Sequence, residues 1–178
     1  MANTTFQGPV TSKAGFITTG PANVVDADSS VSLTVATHSG KIVHNDAAGA
    51  VTYTLPATNA NSDSAIAGPG ADLNNLSNVG AKFEIFSSIT KTGELVVQVA
   101  NATDGIIGRA SFIDDSSDNM VGFETASTSD TITLNGSTTG GVTFAKIECT
   151  VIASGKWKVD VLSGCTGTPA TPFSAAVS

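Results

Sequence analysis

The stretch VTFAKIECTVIASGKWKVDV, residues 142–161, decides the fold class of this chain. From residue 156 onward, apolar and charged residues alternate with a period of two, which in a β-strand places them on opposite faces. Ser154 and Gly155 interrupt the pattern and are typical of a tight turn. The stretch therefore predicts a β-hairpin whose second strand turns one face to the core and the other to solvent; the core face consists of Trp157, Val159 and Val161.

The same alternation recurs along the rest of the chain. It is clearest at residues 31–35, 51–55 and 95–99, and shorter strand candidates lie at 41–44, 82–86 and 130–134. Turn residues such as Asn135-Gly136 separate these segments, and helical patterns are weak. Many short strands joined by turns predict an all-β fold, an antiparallel β-sandwich or a jelly-roll-like domain, with a barrel as the alternative.

The two ends of the chain differ from its periodic middle. Gly-Pro pairs interrupt the first thirty residues, and Gly and Pro recur in the last sixteen. We therefore expect an extended N-terminal arm over residues 1–30, a β-sandwich domain over 31–162 and an extended C-terminal tail over 163–178. Phe6, Phe16 and Phe173 lie on these arms, where each either packs on its own domain or anchors in a neighbouring subunit or a capsid.

Charged residues are scarce. Asp, Glu, Lys and Arg make up 13% of the 178 residues, about half the roughly 25% of an ordinary soluble domain, and the net charge is −7. Since nucleic-acid binding needs a basic surface, this balance argues against it. No apolar run approaches the ~20 residues of a membrane span, and no secretory signal is visible. We expect synthesis in a cytoplasm and a surface that is covered by neighbouring subunits.

The sequence contains few residues in patterns typical of catalytic sites. Its two histidines, His38 and His44, lie in no recognisable nucleophile motif, and the carboxylates fall at solvent-facing strand and turn positions. Cys149 and Cys165 are too few for a disulfide scaffold and lack the spacing of a zinc site, so free thiols are expected. The prediction is a protein that is not an enzyme and has no catalytic residues, cofactor or metal.

One acidic loop leaves two alternatives open. Residues 114–119, Asp-Asp-Ser-Ser-Asp-Asn, hold dense oxygen ligands, which calcium favours. The spacing does not match an EF-hand loop, because the central Gly and the terminal Glu are missing. The segment from Asp114 to Asn119 is either a solvated acidic loop or a cation site.

Short motifs spread over most of the chain resemble virion proteins of tailed phages, particularly marine and cyanobacterial ones. The opening MANTTFQGPVTSKAGF, residues 1–16, is similar to the start of such proteins. The later order of motifs is similar to that of phage β-domains. It consists of TLPA at 54–57, a strand at 83–86, DGIIG at 104–108 and GKWKV at 155–159.

The resemblance implies a structural component of the virion, most like a head decoration or cement protein. Such a protein binds the major capsid protein on the outer surface of the head, and its location suits a homotrimer. The same order of motifs occurs in head-fibre and tail-associated proteins, so a host-receptor-binding β-module is the alternative. These families supply no catalytic residue to carry over.

Overall fold

The computed structural model describes residues 23–59, 77–114 and 119–177, which form two β-sheets packed together. Strands are numbered in chain order. The larger sheet, in spatial order, consists of β1 (Val24–Asp26), β3 (Ile42–Asn45), β5 (Lys82–Ser87), β10 (Val142–Ala153), β11 (Lys156–Cys165), β7 (Gly105–Asp114) and β8 (Asn119–Glu124). The smaller sheet consists of β12 (Phe173–Ser174), β9 (Thr131–Leu134), β6 (Leu95–Gln98), β4 (Val51–Thr54) and β2 (Val31–Ser32). The predicted all-β sandwich is confirmed.

The hairpin predicted from residues 142–161 forms the centre of the larger sheet. Strands β10 and β11 pair antiparallel, with Ile147 opposite Val161 and Cys149 opposite Val159. The turn between them contains Gly155 at φ +71°, a conformation that glycine adopts without a Cβ clash. The alternation places Trp157 in the core and the lysines beside it in solvent.

Both sheets are mixed, whereas the sequence led us to expect antiparallel pairing throughout. Strands β1, β3 and β5 run parallel in one sheet, and β2, β4 and β6 run parallel in the other. The reason is that the first seven strands alternate between the sheets. Each of β3, β4, β5 and β6 lies beside the strand two places earlier in the chain and runs parallel to it, whereas β7 lies between β11 and β8. Period-two alternation marks a strand but does not reveal its partner.

The core lies between the inner faces of the two sheets. The larger sheet contributes Phe83, Ile85, Ile147, Cys149 and Trp157, among others. Tyr53, Leu95, Val97, Ile132 and Leu134 oppose them from the smaller sheet. All of these side chains are almost fully buried, which is the arrangement of a sandwich whose strands each bury one face.

The strand expected over residues 31–35 is shorter in the structure. Only Val31–Ser32 pairs with β4, and one helical turn, α1 (Val35–His38), follows. The side chain of Thr34 accepts a hydrogen bond from the N–H of Thr37 at 3.3 Å and so caps this turn. A capping hydroxyl competes with the strand ladder for backbone groups, which the alternation alone does not show.

The chain ends depart from the predicted boundaries. Residues 24–26, expected in the N-terminal arm, pair with β3 in the larger sheet. Strand β11 continues to Cys165, and Phe173–Ser174, expected in the extended C-terminal tail, pairs with β9. Phe173 is 9% exposed and packs on its own core, since its alternation partner Ser174 takes the outer face. Phe6 and Phe16 lie outside the described residues.

No helix in the described ranges is long and apolar enough to cross a membrane.

Candidate functional site

The outer face of the larger sheet carries almost all the exposed charge of its strands. Its basic side chains are Lys82, Arg109, Lys146, Lys156 and Lys158, and its acidic side chains are Asp26, Glu84, Glu124, Glu148 and Asp160. We call these ten residues the charged band. Positive and negative charges balance within it, although the whole chain carries −7. The face is therefore close to electrically neutral.

Ion pairs hold the centre of the charged band. The carboxylate of Glu148 forms ion pairs with two ammonium groups, Lys82 Nζ at 2.9 Å and Lys146 Nζ at 2.5 Å. Hydrogen bonds from Lys146 and Lys82 lower the pKa of Glu148 to about 2, and the bond to Glu148 raises the pKa of Lys146. The two ammonium groups thus favour the ionised form of Glu148, which lies opposite Glu84 on the neighbouring strand.

An apolar stripe lies along one end of the same face. It crosses five adjacent strands and consists of Phe86, Phe144, Leu162, Ile113 and Met120. Four of these side chains are strongly exposed: Met120 at 69%, Phe144 at 68%, Ile113 at 51% and Leu162 at 46%. The register places Ile113 opposite Met120, and Phe86 and Leu162 on either side of Lys146. Exposed apolar groups clustered on one face in this way mark interaction sites.

Aromatic rings extend the apolar stripe toward the sheet edge. Phe86 stacks on Phe144 with centroids 6.3 Å apart and planes 18° apart, and His44 stacks on the other side of Phe86 at 6.5 Å and 24°. Next to the stripe, a shallow depression of about 190 Å³ is lined by Ser111, Lys146, Glu148, Asp160, Val161 and Leu162. The face thus combines aromatic anchors with a polar margin, as protein interfaces do.

The outer face of the smaller sheet is of a different kind. Within the described strands, its exposed or half-buried outward residues carry no ionisable group: Ser32, Thr52, Thr54, Val96, Gln98, Thr133 and Ser174. Thr52, Val96 and Thr133 form one row across three strands. We call these seven residues the uncharged face. Because no charge must be desolvated, such a surface can be covered by a partner at low cost.

Asp26, His44 and Ser88 form a hydrogen-bonded line at the edge of the larger sheet. His44 Nε2 lies 2.9 Å from Ser88 Oγ, and Nδ1 lies 3.2 Å from Asp26 Oδ1. The order of these groups is that of a Ser-His-Asp triad. The sequence did not predict this arrangement, because the three residues come from separate segments. Catalytic triads, however, bury the acid, whereas the side chain of Asp26 is 68% exposed. The line therefore suits a polar contact that joins neighbouring strands.

Asp26 also belongs to an exposed acidic patch with Asp28 and Asp46, whose carboxylate oxygens lie within 4.8 Å of one another. A shared hydrogen bond with Asp28 and its negative charge raise the pKa of Asp46. Behind the patch, Lys91 is buried and donates to Asn45 Oδ1 at 2.9 Å and to the carbonyl of Ala47. Exposed carboxylates alone are common on protein surfaces, and we assign no metal to them.

The remaining residues singled out from the sequence take structural positions. Cys149 and Cys165 are free and buried, as expected. Burial raises the pKa of Cys149 to about 12, so its thiol is neither ionised nor accessible as a nucleophile. Asp114 ends β7 in a buried position and Asn119 begins β8, while residues 115–118 lie outside the described ranges. Both alternatives for that loop, a solvated acidic loop and a cation site, therefore stay predictions.

Sequence reasoning and structure select different candidate residues. Of the three phenylalanines proposed as contacts, the structure describes Phe173 alone and places it in the core. The exposed Phe144 was not singled out, because alternation assigns a residue to a face but does not show whether that face is covered.

Comparison with known proteins adds no relative: no protein-family model, curated protein or solved structure matches the chain.

Proposed function

We propose that this chain is a non-enzymatic virion protein of a tailed phage. It binds the major capsid protein on the outer surface of the head as a decoration or cement protein and acts as a homotrimer assembled after synthesis in the host cytoplasm. The sequence resemblance suggests this class. The structural observation that carries the proposal is the uncharged face, whose seven outward strand residues in the described ranges include no ionisable side chain.

The uncharged face has the side chains to bind a capsid surface without ion pairs. Threonine and valine side chains on these strands offer apolar methyl groups and hydroxyl groups, and none of them needs a charged partner. Burial contributes about 25 cal/mol per Å² of apolar surface before the entropy of association is subtracted. A trimer that engages three capsid sites adds avidity to this modest contact. No bond rearrangement or cofactor is required.

A charge placed within the uncharged face tests the proposal. Val96 pairs with both Thr52 and Thr133, so Val96→Lys places an ammonium group at the centre of the face. Thr150→Lys is the matched control, because Thr150 lies outward on the larger sheet beside Lys82 and Lys158. Purified variants are added to particles that lack the protein, and bound copies are counted by quantitative mass spectrometry.

The proposed function predicts hundreds of bound copies for the natural protein and for Thr150→Lys, with occupancy lost for Val96→Lys. Particles without the protein should keep tails and fibres but lose heat resistance. A handful of copies per particle, with normal heads and failed adsorption to cells, would instead support the head-fibre or tail-associated receptor-binding alternative.

A further inference from the structure

The apolar stripe is unused by the proposed capsid contact, which lies on the opposite face of the sandwich. Its members come from β5, β10, β11, β7 and β8, and the central strand of the five contributes Leu162. Phenylalanine, methionine, isoleucine and leucine are the composition of an interface core, and the one charge among them, Lys146, is paired with Glu148. An exposed surface of this kind calls for a partner that covers it.

The backbone at Phe144 gives a second, independent indication. Phe144 has φ +70° and is the one non-glycine residue in the described ranges with a positive φ. It lies where the pairing of β10 with β11 shifts register between Val142 and Lys146. A bulky side chain in this region is strained, and strain of this kind concentrates at functional sites. Phe144 is thus strained, and its side chain stays 68% exposed although its ring stacks on Phe86.

The charge distribution favours a second copy of this chain as the partner. A chain with a net charge of −7 repels its own copies over most orientations, and the exposed acidic patch is one source of this repulsion. The charged band beside the apolar stripe is balanced, and half of its ten residues form ion pairs within it: Lys82 and Lys146 with Glu148, and Arg109 with Glu124. Two copies that meet here bring no excess of like charge together.

We propose that the apolar stripe is the contact surface between copies of this chain. Phe144 and Met120 insert between the exposed side chains of the second copy, Leu162 lies at the middle of the contact, and the charged band forms its margin. The inference goes beyond the proposed function, since it concerns the oligomer itself and holds wherever that oligomer is located.

Two variants and a control test the contact by sedimentation equilibrium of the full chain over a range of concentrations. Phe144→Asn removes the ring while keeping a residue that tolerates a positive φ, and Met120→Ser truncates the most exposed member of the apolar stripe. The control is Ile152→Ser, an exposed apolar residue near the far end of β10. Circular dichroism confirms that each variant is folded.

The natural chain and Ile152→Ser should self-associate, and each stripe variant should weaken association by about tenfold or more. A natural chain that remains a monomer at all concentrations overturns the inference. Folded stripe variants that associate as tightly as Ile152→Ser overturn it as well. Loss of particle binding by the stripe variants with unchanged self-association would assign the stripe to the capsid and also overturn it.

Oxidative cross-linking locates the contact directly. Both native cysteines are buried, so Leu162→Cys introduces an accessible thiol at the middle of the apolar stripe. Lys158→Cys is the control on the same strand and face, about 13 Å away along the strand. A covalent dimer from Leu162→Cys but not from Lys158→Cys is the expected result. Equal cross-linking of both, or of neither, contradicts a stripe-to-stripe contact. Because this readout uses purified protein, it remains informative if the capsid proposal fails.

Discussion

Phe83 and Trp157 meet edge to face in the core, with ring centroids 5.7 Å apart and planes at 61°. They come from the strands on either side of β10, so the contact spans the middle of the larger sheet. Both side chains are fully buried, yet Trp157 Nε1 has no hydrogen-bond partner among the described residues. The largest side chain of the core thus combines favourable packing with an unsatisfied donor.

Truncation of Trp157 should separate these two contributions. Trp157→Ala should lower the free energy of unfolding by about 3–5 kcal/mol through the cavity it leaves. Trp157→Phe should cost less than half as much, because removal of the unsatisfied N–H recovers part of a penalty of about 1–3 kcal/mol. Urea unfolding followed by circular dichroism measures both. Equal costs would show that the indole N–H is satisfied in solution.

Glu148 should make stability depend on pH. Its pKa is lowered to about 2 from 4.5, so the ionised form stabilises the fold above pH 4.5, and this contribution is lost as the pH falls to about 2. Glu148→Gln should lower the free energy of unfolding by about 0.5–1 kcal/mol at pH 7. The difference in this free energy from the natural chain should vanish near pH 2. Glu124→Gln is the control, since Arg109 and Glu124 are both about three-quarters exposed and should contribute almost nothing. A pH-independent difference would exclude the ion pairs as the cause.

Gly136 should not tolerate a side chain. Its φ is +78°, and a Cβ there would lie 1.8 Å from the carbonyl oxygen of Lys91. Gly136→Ala should therefore destabilise the chain by more than about 1 kcal/mol in thermal unfolding. Gly49→Ala meets nothing within 4 Å and should be neutral or slightly stabilising. Similar melting temperatures for the two variants would contradict the close approach of the Gly136 and Lys91 segments.

Phe144→Gly should raise the stability of the monomer. Glycine adopts a positive φ freely, so the substitution should relieve about 1–2 kcal/mol of strain, less the entropy that glycine gains in the unfolded chain. Unfolding at concentrations below self-association provides the measurement. A clear loss of stability would mean that contacts within its own chain stabilise Phe144, which would contradict a role in contact with a second copy.

Ser88 should not behave as a catalytic nucleophile despite its hydrogen bond to His44. The exposed carboxylate of Asp26 cannot strengthen the imidazole as a buried acid does. A fluorophosphonate probe should therefore leave Ser88 unlabelled in intact protein, as judged by peptide mass spectrometry, with a serine hydrolase as the positive control. Labelling of Ser88 that His44→Ala abolishes would make the chain a candidate hydrolase.

Local residue patterns allowed the strands to be predicted but not their arrangement. The hairpin around Gly155 and the burial of Trp157 follow from alternation and a turn signal within twenty residues. The parallel pairing of β3 with β5 depends on which sheet the intervening β4 joins, a choice made between distant segments. The same limit explains the candidate site: Phe144 and Met120 are far apart in the sequence and share a surface only through the order of five strands.

By itself, the sequence determined that this chain folds as a β-sandwich with a charge-poor surface, because strand periodicity and composition are local properties of the polypeptide. Only the tertiary structure decided where the few charges and the exposed aromatic side chains lie. Sheet order gathers balanced charges and the apolar stripe on one face, and the outward strand residues described on the other face carry no charge. Which strands become neighbours is set by packing across the sandwich, and no single segment encodes it.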